Sequence, residues 1–503
     1  MENSLLDRLS KYLSFVLLAG SVLYIVVYLA VVFFRIRYPF ELMWQEGASV
    51  DHMIRMLSVL KYYDSPSIEF IASIYTPLYF YLSALLSKLI GIGFLPLRLL
   101  SFVSSLGCFL IIFLMVRRET GSGFSGIIAT GLFAATYELS GSWFDVGRAD
   151  SLFLFLLLWA IYLLRFNESM KPYFFAGVLV SLSYLTKQTA IVISLPIMLY
   201  CIYFRRRLAF FFIAPITVIA GLGSVLMNYL YEGWFYFYVF ELPKTTPVDI
   251  KYLINFWPTD IIIPLPVAFS IVVFYLFSQL KSPNKNKMFF YLFAGAGMFV
   301  ASWYSRYRGG GFYNVLFPAY AIVSITFGLG VNEILKRSSF FYIRNDKLKA
   351  TVLYALCIVQ FSMNSLLYDP FKQVPKQKDL EAGWHLIDKM SQVKGDIFSP
   401  YHGYFATLAG KKSYANMMGM RDVLTTSDEK HVQIKKRLVD DIKQAMREKK
   451  FGAVIIDSFE PWYPFDMRDH YVEKEKIFDD ENVFYPVTGM RTRPEFIYAP
   501  KEN

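Results

Sequence analysis

The chain has 503 residues, of which 55% are hydrophobic and 18% charged, against roughly 25% charged in soluble domains. Mean hydropathy of +0.39 and apolar runs long enough to cross a bilayer exclude an ordinary soluble protein and predict a polytopic membrane protein. The net charge of +11 does not point to nucleic acid: residues 370–503 hold 22 Lys+Arg and 21 Asp+Glu, leaving 29 and 19 before them, where basic loops between spans set topology.

The first apolar stretch, 14–34, exceeds a signal-peptide core and lacks a small-residue cleavage pattern, which predicts a retained anchor. A long loop, 35–96, follows. Further apolar segments lie near 71–91, 97–116, 123–141, 150–164, 172–186, 189–204, 208–231, 260–279, 288–304, 313–332 and 350–367. Segment 71–91 is ambiguous because it contains Pro77 and Lys88. If it does not cross and the N-terminus is cytoplasmic, 17 basic residues fall inside and 12 outside; if it crosses, the counts become 10 and 19. The positive-inside rule therefore predicts about eleven spans, with 71–91 lying along or dipping into the outer leaflet.

On this topology residues 1–369 form the transmembrane part and 370–503 an extracytoplasmic domain. The tail alternates: a helical pattern at 378–393, a strand at 395–399, a charged amphipathic helix at 428–450 and an apolar strand at 452–457, with edge strands at Phe484 and 496–498. This reads as a small α/β domain. Cys108, Cys201 and Cys357 lie in apolar runs and behave as small hydrophobes. The five histidines show no metal-ligand spacing.

Ionisable groups at span ends are candidates for chemistry. Glu46 precedes Gly47, which allows a sharp turn that points the carboxylate into a cleft; a solvated loop acid is the alternative. Asp51 lies five residues on, roughly 140° around a helix, so the two are not a metal pair and Asp51 reads as a helix-surface charge. Within Trp143-Phe144-Asp145-Val146-Gly147-Arg148-Ala149-Asp150, Asp150 stands where an N-cap belongs, and Arg148 either neutralises Asp145 or Asp150 or faces an anion. Lys187 either snorkels to headgroups or meets an anionic ligand. Arg306 and Arg308, before Gly309-Gly310-Gly311-Phe312-Tyr313-Asn314, suit an anionic lipid headgroup. The aromatic stretches containing Tyr75 and Tyr79, and 234–238, read as interfacial belts or as walls of a lipid groove.

Taken in order, these pieces resemble the integral-membrane glycosyltransferases of the GT-C superfamily, in the bacterial branch similar to protein O-mannosyltransferases and lipid A aminoarabinose transferases. The resemblance is carried by Gln45-Glu46-Gly47, Tyr75-Thr76-Pro77-Leu78-Tyr79, the segment 145–150, Leu185-Thr186-Lys187-Gln188 and Gly310-Gly311-Phe312-Tyr313-Asn314. It implies a polyprenyl-phosphate-linked sugar donor, a lipid, glycan or protein acceptor, inversion at the anomeric carbon, and residence in the bacterial inner membrane.

It further implies Glu46 as the base, with Asp145 and Asp150 as further catalytic carboxylates. Lys187, Arg306, Arg308 and Arg148 would hold the donor phosphate, and Tyr75, Tyr79, Tyr313 and Asn314 would line the groove. Many relatives carry Asp-Glu where this chain has Gln45-Glu46. That departure weakens a two-carboxylate metal site, so no obligatory metal is expected, although the family divides on its need for a divalent ion. No nucleotide-binding glycine fingerprint supports a sugar-nucleotide donor. Two other readings stand beside this one: a lipid or glycolipid transporter, which would place its charges near the bilayer midplane, and a non-catalytic envelope-assembly subunit.

Overall fold

A 34-residue helix, α1 (Glu2–Arg35), opens the chain and at roughly 1.5 Å per residue is long enough to cross a bilayer with residues to spare. The computed structural model describes residues 2–280, 285–308, 311–338, 343–426, 431–457 and 467–502. The long first loop folds into two short helices, α2 (Glu46–Leu57) and α3 (Leu78–Ile90). Then come α4 (Phe94–Thr120), α5 (Gly123–Ala135), α6 (Asp150–Phe166), α7 (Met170–Thr186) and α8 (Thr189–Phe204).

Among the described residues five helical stretches have the length and apolar composition to cross a membrane: Leu5–Arg35, Phe94–Thr120, Arg206–Leu230, Lys285–Tyr307 and Tyr313–Lys336. A sixth is the pair Ile250–Ile262 and Pro266–Leu280, bent by 94°. The other expected spans are helical but shorter, which leaves the total of eleven resting on the hydropathy pattern. They include α5 at 13 residues, α6 and α7 at 17 and α8 at 16. At 13 residues α3 is as short as α5, about 20 Å against a hydrocarbon core of roughly 30 Å, so length does not separate the segment expected to stay out of the membrane from those expected to cross.

Burial separates centre from rim. The apolar window of Tyr313–Lys336 is 94% buried, whereas that of Arg206–Leu230 is 22% buried, leaving Val218, Leu222 and Val225 outward where lipid would meet them. Close helix contact relies on small residues: a Cβ on Gly131 would lie 2.5 Å from that of Ser21, so α1 and α5 touch along this line. The bend before Pro266 frees backbone groups, and the buried Gln360 satisfies them. Its Oε1 accepts from the N–H groups of Val267 and Ala268, both at 3.0 Å, and its Nε2 donates to the Pro264 carbonyl at 3.1 Å.

The tail contains a four-stranded sheet of order β1-β2-β4-β3: β1 (Ile397–Phe398), β2 (Ala453–Ile456), β3 (Tyr471–Lys476) and β4 (Phe496–Pro500). β1 and β2 are parallel and the other pairs antiparallel. The expected tail helices are found at Gln377–Ser391 and Val432–Arg447; residues 428–430 of the second expectation lie outside the described residues. Phe484 is not in a strand. It is a loop residue at φ 63° whose ring packs against Phe40 and Phe405.

The tail is knitted to the first loop. The Thr488 N–H donates to the Leu42 carbonyl at 3.1 Å, and the Ala415 N–H to that of Ile68 at 2.9 Å. Between them His402 bridges two buried acids, with Nδ1 2.5 Å from Glu41 Oε2 and Nε2 3.1 Å from Asp457 Oδ2. Burial alone would lower the His402 pKa, but Asp457 and Glu41 overcome it and raise it to about 10, so the ring is cationic at neutral pH.

Candidate functional site

Two buried arginine–carboxylate pairs, Arg98 with Glu46 and Arg35 with Asp145, fix the first loop and the turn before α6. Arg98, on α4, holds Glu46 through both oxygens, Nε to Oε1 at 3.0 Å and Nη2 to Oε2 at 2.7 Å. The same guanidinium donates to the carbonyls of Tyr38 and Phe40, at 2.6 and 2.5 Å, which stitches the first loop onto α4. Glu46 also accepts from the N–H groups of Gly147 at 2.6 Å and Leu42 at 2.7 Å. It is 0% exposed. Burial pushes its pKa up, but Arg98 and the two N–H groups outweigh that and hold it below the usual carboxylate range.

The expectation that Glu46 points into a cleft is corrected by this geometry: its lone pairs are committed on every side. Gly47 does not make a turn either. It sits in α2, where a Cβ would come within 2.3 Å of Glu41 Oε1, and its bare N–H donates to that carboxylate at 3.1 Å.

Asp145 is held in the same way by Arg35 from the end of α1, Nε to Oδ2 at 2.8 Å and Nη2 to Oδ1 at 2.6 Å, with the Tyr137 hydroxyl donating at 3.0 Å. Tyr79 is fully buried, its hydroxyl bonded at 2.9 Å to the Leu97 carbonyl and to Ser101 on α4, so it braces α3 instead of lining a groove. Asp51 is no free surface charge. One of its oxygens accepts from Ser413 of the tail at 2.8 Å, the other is buried without a partner, and burial raises its pKa to about 8.

The open chemistry lies one residue away. A cleft of about 640 Å³, counted with its open mouth, is lined by Gln45, Ser49, His52, Tyr75 and Arg148 on the transmembrane side and by Asn416, Met418, Gly419 and Asp422 from the tail. Arg148 donates to Gln45 Oε1, to the Tyr75 hydroxyl at 3.3 Å and to Asp150 Oδ2 at 3.4 Å. Asp150 is the first residue of α6 behind Ala149, so it does not cap the helix as expected. Its other oxygen accepts from Lys187 Nζ at 2.6 Å and Asn314 Nδ2 at 2.9 Å. Two cations thus share one carboxylate, and the group carries net positive charge beside the cleft. His52 is neutral there, since burial drops its pKa to about 3.

Arg306 does not join this group directly. It pairs with Asp260, Nε to Oδ2 at 3.0 Å, and its guanidinium lies 4.8 Å from the Tyr313 ring, next to Asn314. Arg308 donates to the Lys244 carbonyl at 2.7 Å and the Tyr304 hydroxyl at 2.6 Å. Gly309 and Gly310 lie outside the described residues. Among the described residues no set of three His, Cys, Asp or Glu side chains converges as metal ligands. The side chains of the site do not converge as ligands for a divalent ion: Asp150 faces two cations, Gln45 offers an amide, and Asp422 is a lone carboxylate on the cleft lining.

Arg35, Arg98, Asp260 and Asp422 went unread in the sequence. Arg98 carried a usable signal, because a cation inside an apolar run must find a partner; Asp422 carried none, standing in an ordinary charged segment.

The fold and the family model place this chain among known membrane proteins by likeness. Residues 75–228 match the family model described as dolichyl-phosphate-mannose-protein mannosyltransferase. The fold is similar to that of ArnT from Cupriavidus metallidurans bound to undecaprenyl phosphate, with a TM-score of 0.58, 11% identity, and 95% of this chain and 97% of that one covered. The apo form of the same protein gives 0.59, 12%, 95% and 97%. The archaeal oligosaccharyltransferase AglB from Archaeoglobus fulgidus, in complex with an inhibitory peptide and a dolichol-phosphate, gives 0.52, 12%, 88% and 69%. No curated protein matches the sequence. The chain therefore has the fold shared by ArnT and AglB.

Proposed function

We propose that this protein transfers a sugar from a polyprenyl-phosphate-linked donor to a hydroxyl or amine on a lipid, glycan or protein acceptor, with inversion, at the outer face of the bacterial inner membrane. The observation that carries this reading is Arg148 on the cleft wall, joined through Asp150 to Lys187 directly behind it. A phosphate that departs from an anomeric carbon gains negative charge, and cations already fixed in place stabilise that charge without reorganising. Their excess over Asp150 leaves capacity for the donor phosphate, with Tyr75 and Asn314 as neutral supports. Arg306, neutralised by Asp260, would instead set the position of Tyr313 and Asn314.

Glu46 and Asp145 serve in this account as anchors of the first loop and of the turn before α6. A base needs a free lone pair and a path to the acceptor, and theirs are occupied by arginines. The transporter reading gains less support, because the free charges gather at span ends and not along a path through the bilayer.

Undecaprenyl phosphate binding to the purified protein, native and Lys187→Gln, tests the reading. Loss of one charge-assisted contact is expected to weaken binding by about 10- to 100-fold. Equal binding by the two proteins would remove the site from this role.

A further inference from the structure

A base for the acceptor must come from somewhere in the cleft. Gln45, the first-loop residue that faces it, is an amide and takes no proton at neutral pH. Asp150 is shared among Lys187, Arg148 and Asn314. Across the cleft the tail presents the helix Met417–Leu424, whose first turn is fixed by Asn416, its Oδ1 accepting from the Gly419 N–H at 2.8 Å. Gly419 lies so close to Ile71 that a Cβ would come within 2.9 Å of that side chain, which ties the helix to the first loop. Met418, Gly419 and Asp422 then share one face by their spacing of three and four, and all three line the cleft.

Asp422 is the only carboxylate among the lining residues. It is half-buried, and among the described residues it accepts no hydrogen bond. It differs from Glu46, Asp145 and Asp150, whose oxygens are taken up by arginines or a lysine, in lining the cleft without a hydrogen bond among the described residues.

We propose that Asp422, supplied by the tail across the cleft from Arg148, is the general base of the transfer, an assignment that rests on the glycosyltransferase reading above. An Asp422 oxygen takes the proton from the acceptor O–H or N–H as that atom bonds to the anomeric carbon. The bond from that carbon to the phosphate oxygen breaks, and its electron pair leaves on the phosphate. The products are the glycosylated acceptor, polyprenyl phosphate carrying one more negative charge beside Arg148 and Lys187, and protonated Asp422, which returns its proton to water. Burial raises the Asp422 pKa to about 7 against the pull of Arg421, which matches a base working near neutral pH. The tail domain is then part of the catalytic centre and not solely a docking module.

The test uses the full-length protein in detergent with undecaprenyl-phosphate-linked mannose, glucose and arabinose and an envelope extract as acceptor. Released undecaprenyl phosphate and bound undecaprenyl phosphate are both measured. Asp422→Asn is expected to lower turnover by about 100-fold or more while binding of undecaprenyl phosphate stays at the native level, and added formate is expected to raise the turnover of Asp422→Ala. Turnover of Asp422→Asn within about threefold of native, far inside the loss expected on removal of a base, overturns the assignment and leaves the glycosyltransferase reading standing. Failure of the native protein to release undecaprenyl phosphate from any donor overturns both.

Discussion

Two groups of ionised side chains sit where the first loop meets the ends of the helices, and they differ in how completely their charges are matched. In the first, Arg98 with Glu46 and Arg35 with Asp145 form fully buried pairs, each fork on fork, with the remaining donors spent on backbone carbonyls. In the second, Arg148 and Lys187 share Asp150 beside a cleft that Arg148 lines together with the neutral Gln45 and with Asp422, which among the described residues has no ion pair. Neighbours in sequence fall on opposite sides of this division: Gln45 faces the cleft while Glu46 is sealed. An acid at a span end is therefore read better by its partners than by its position. Saturated charge holds the frame, and unsaturated charge is left for a ligand.

Removing Arg98 is the harshest way to break the contrast. Arg98→Ala strands the Glu46 carboxylate in the interior and is expected to cost about 3–5 kcal/mol of stability, read by denaturant unfolding in detergent. A change below about 1 kcal/mol would show a pair of surface character. Glu46→Gln sharpens the same point, because it leaves Arg98 unmatched. Stability is expected to fall by about 3 kcal/mol, with turnover per folded molecule kept within a few-fold; full stability with turnover abolished would return the base role to Glu46.

The tie between loop and tail supplies a pH dependence. His402 titrates near 10 in the folded protein against 6.5 for the free group, and burial raises Glu41 from 4.5 to about 7. Both shifts are upward, so the folded state holds more protons than the unfolded state across this window, and stability falls as pH rises. The His402 contribution is fully present below about pH 6.5 and lost towards about pH 10. Melting temperature is expected to drop steadily from pH 6.5 to 9.5 and to flatten in His402→Gln; a native profile that rises over that range would contradict the assignment. The smallest effect is expected for Asn314→Ala, which removes one bond to Asp150 at a cost of about 1–2 kcal/mol, visible as roughly a tenfold loss of undecaprenyl phosphate affinity with little change in melting.

Much of the fold was legible because lipid imposes a simple rule on sequence: long apolar runs become helices. The tail helix 378–393 and the strand at 452–457 were legible from periodicity, whereas β3 was missed because Tyr471-Val472-Glu473-Lys474-Glu475-Lys476 is mostly exposed and reads as a polar loop. The site was legible by segment and not by atom. Asp150 and Lys187 were both singled out and the structure pairs them, yet no spacing rule tells that Glu46 turns inward to an arginine 52 residues away while Gln45 lines the cleft. That choice is made by tertiary packing of α4 against the first loop. Asp422 was invisible for the same reason, since its meaning depends on where the tail docks.

The most direct test of the central claim is mass-spectrometric measurement of free undecaprenyl phosphate and of sugar on the acceptor, for the native protein and Arg148→Gln, given undecaprenyl-phosphate-linked donors. The account predicts release and transfer in equal amounts by the native protein, and at least about tenfold slower turnover in a stably folded Arg148→Gln variant. Donor that binds at the cleft and is carried across a vesicle membrane with its sugar still attached would contradict it.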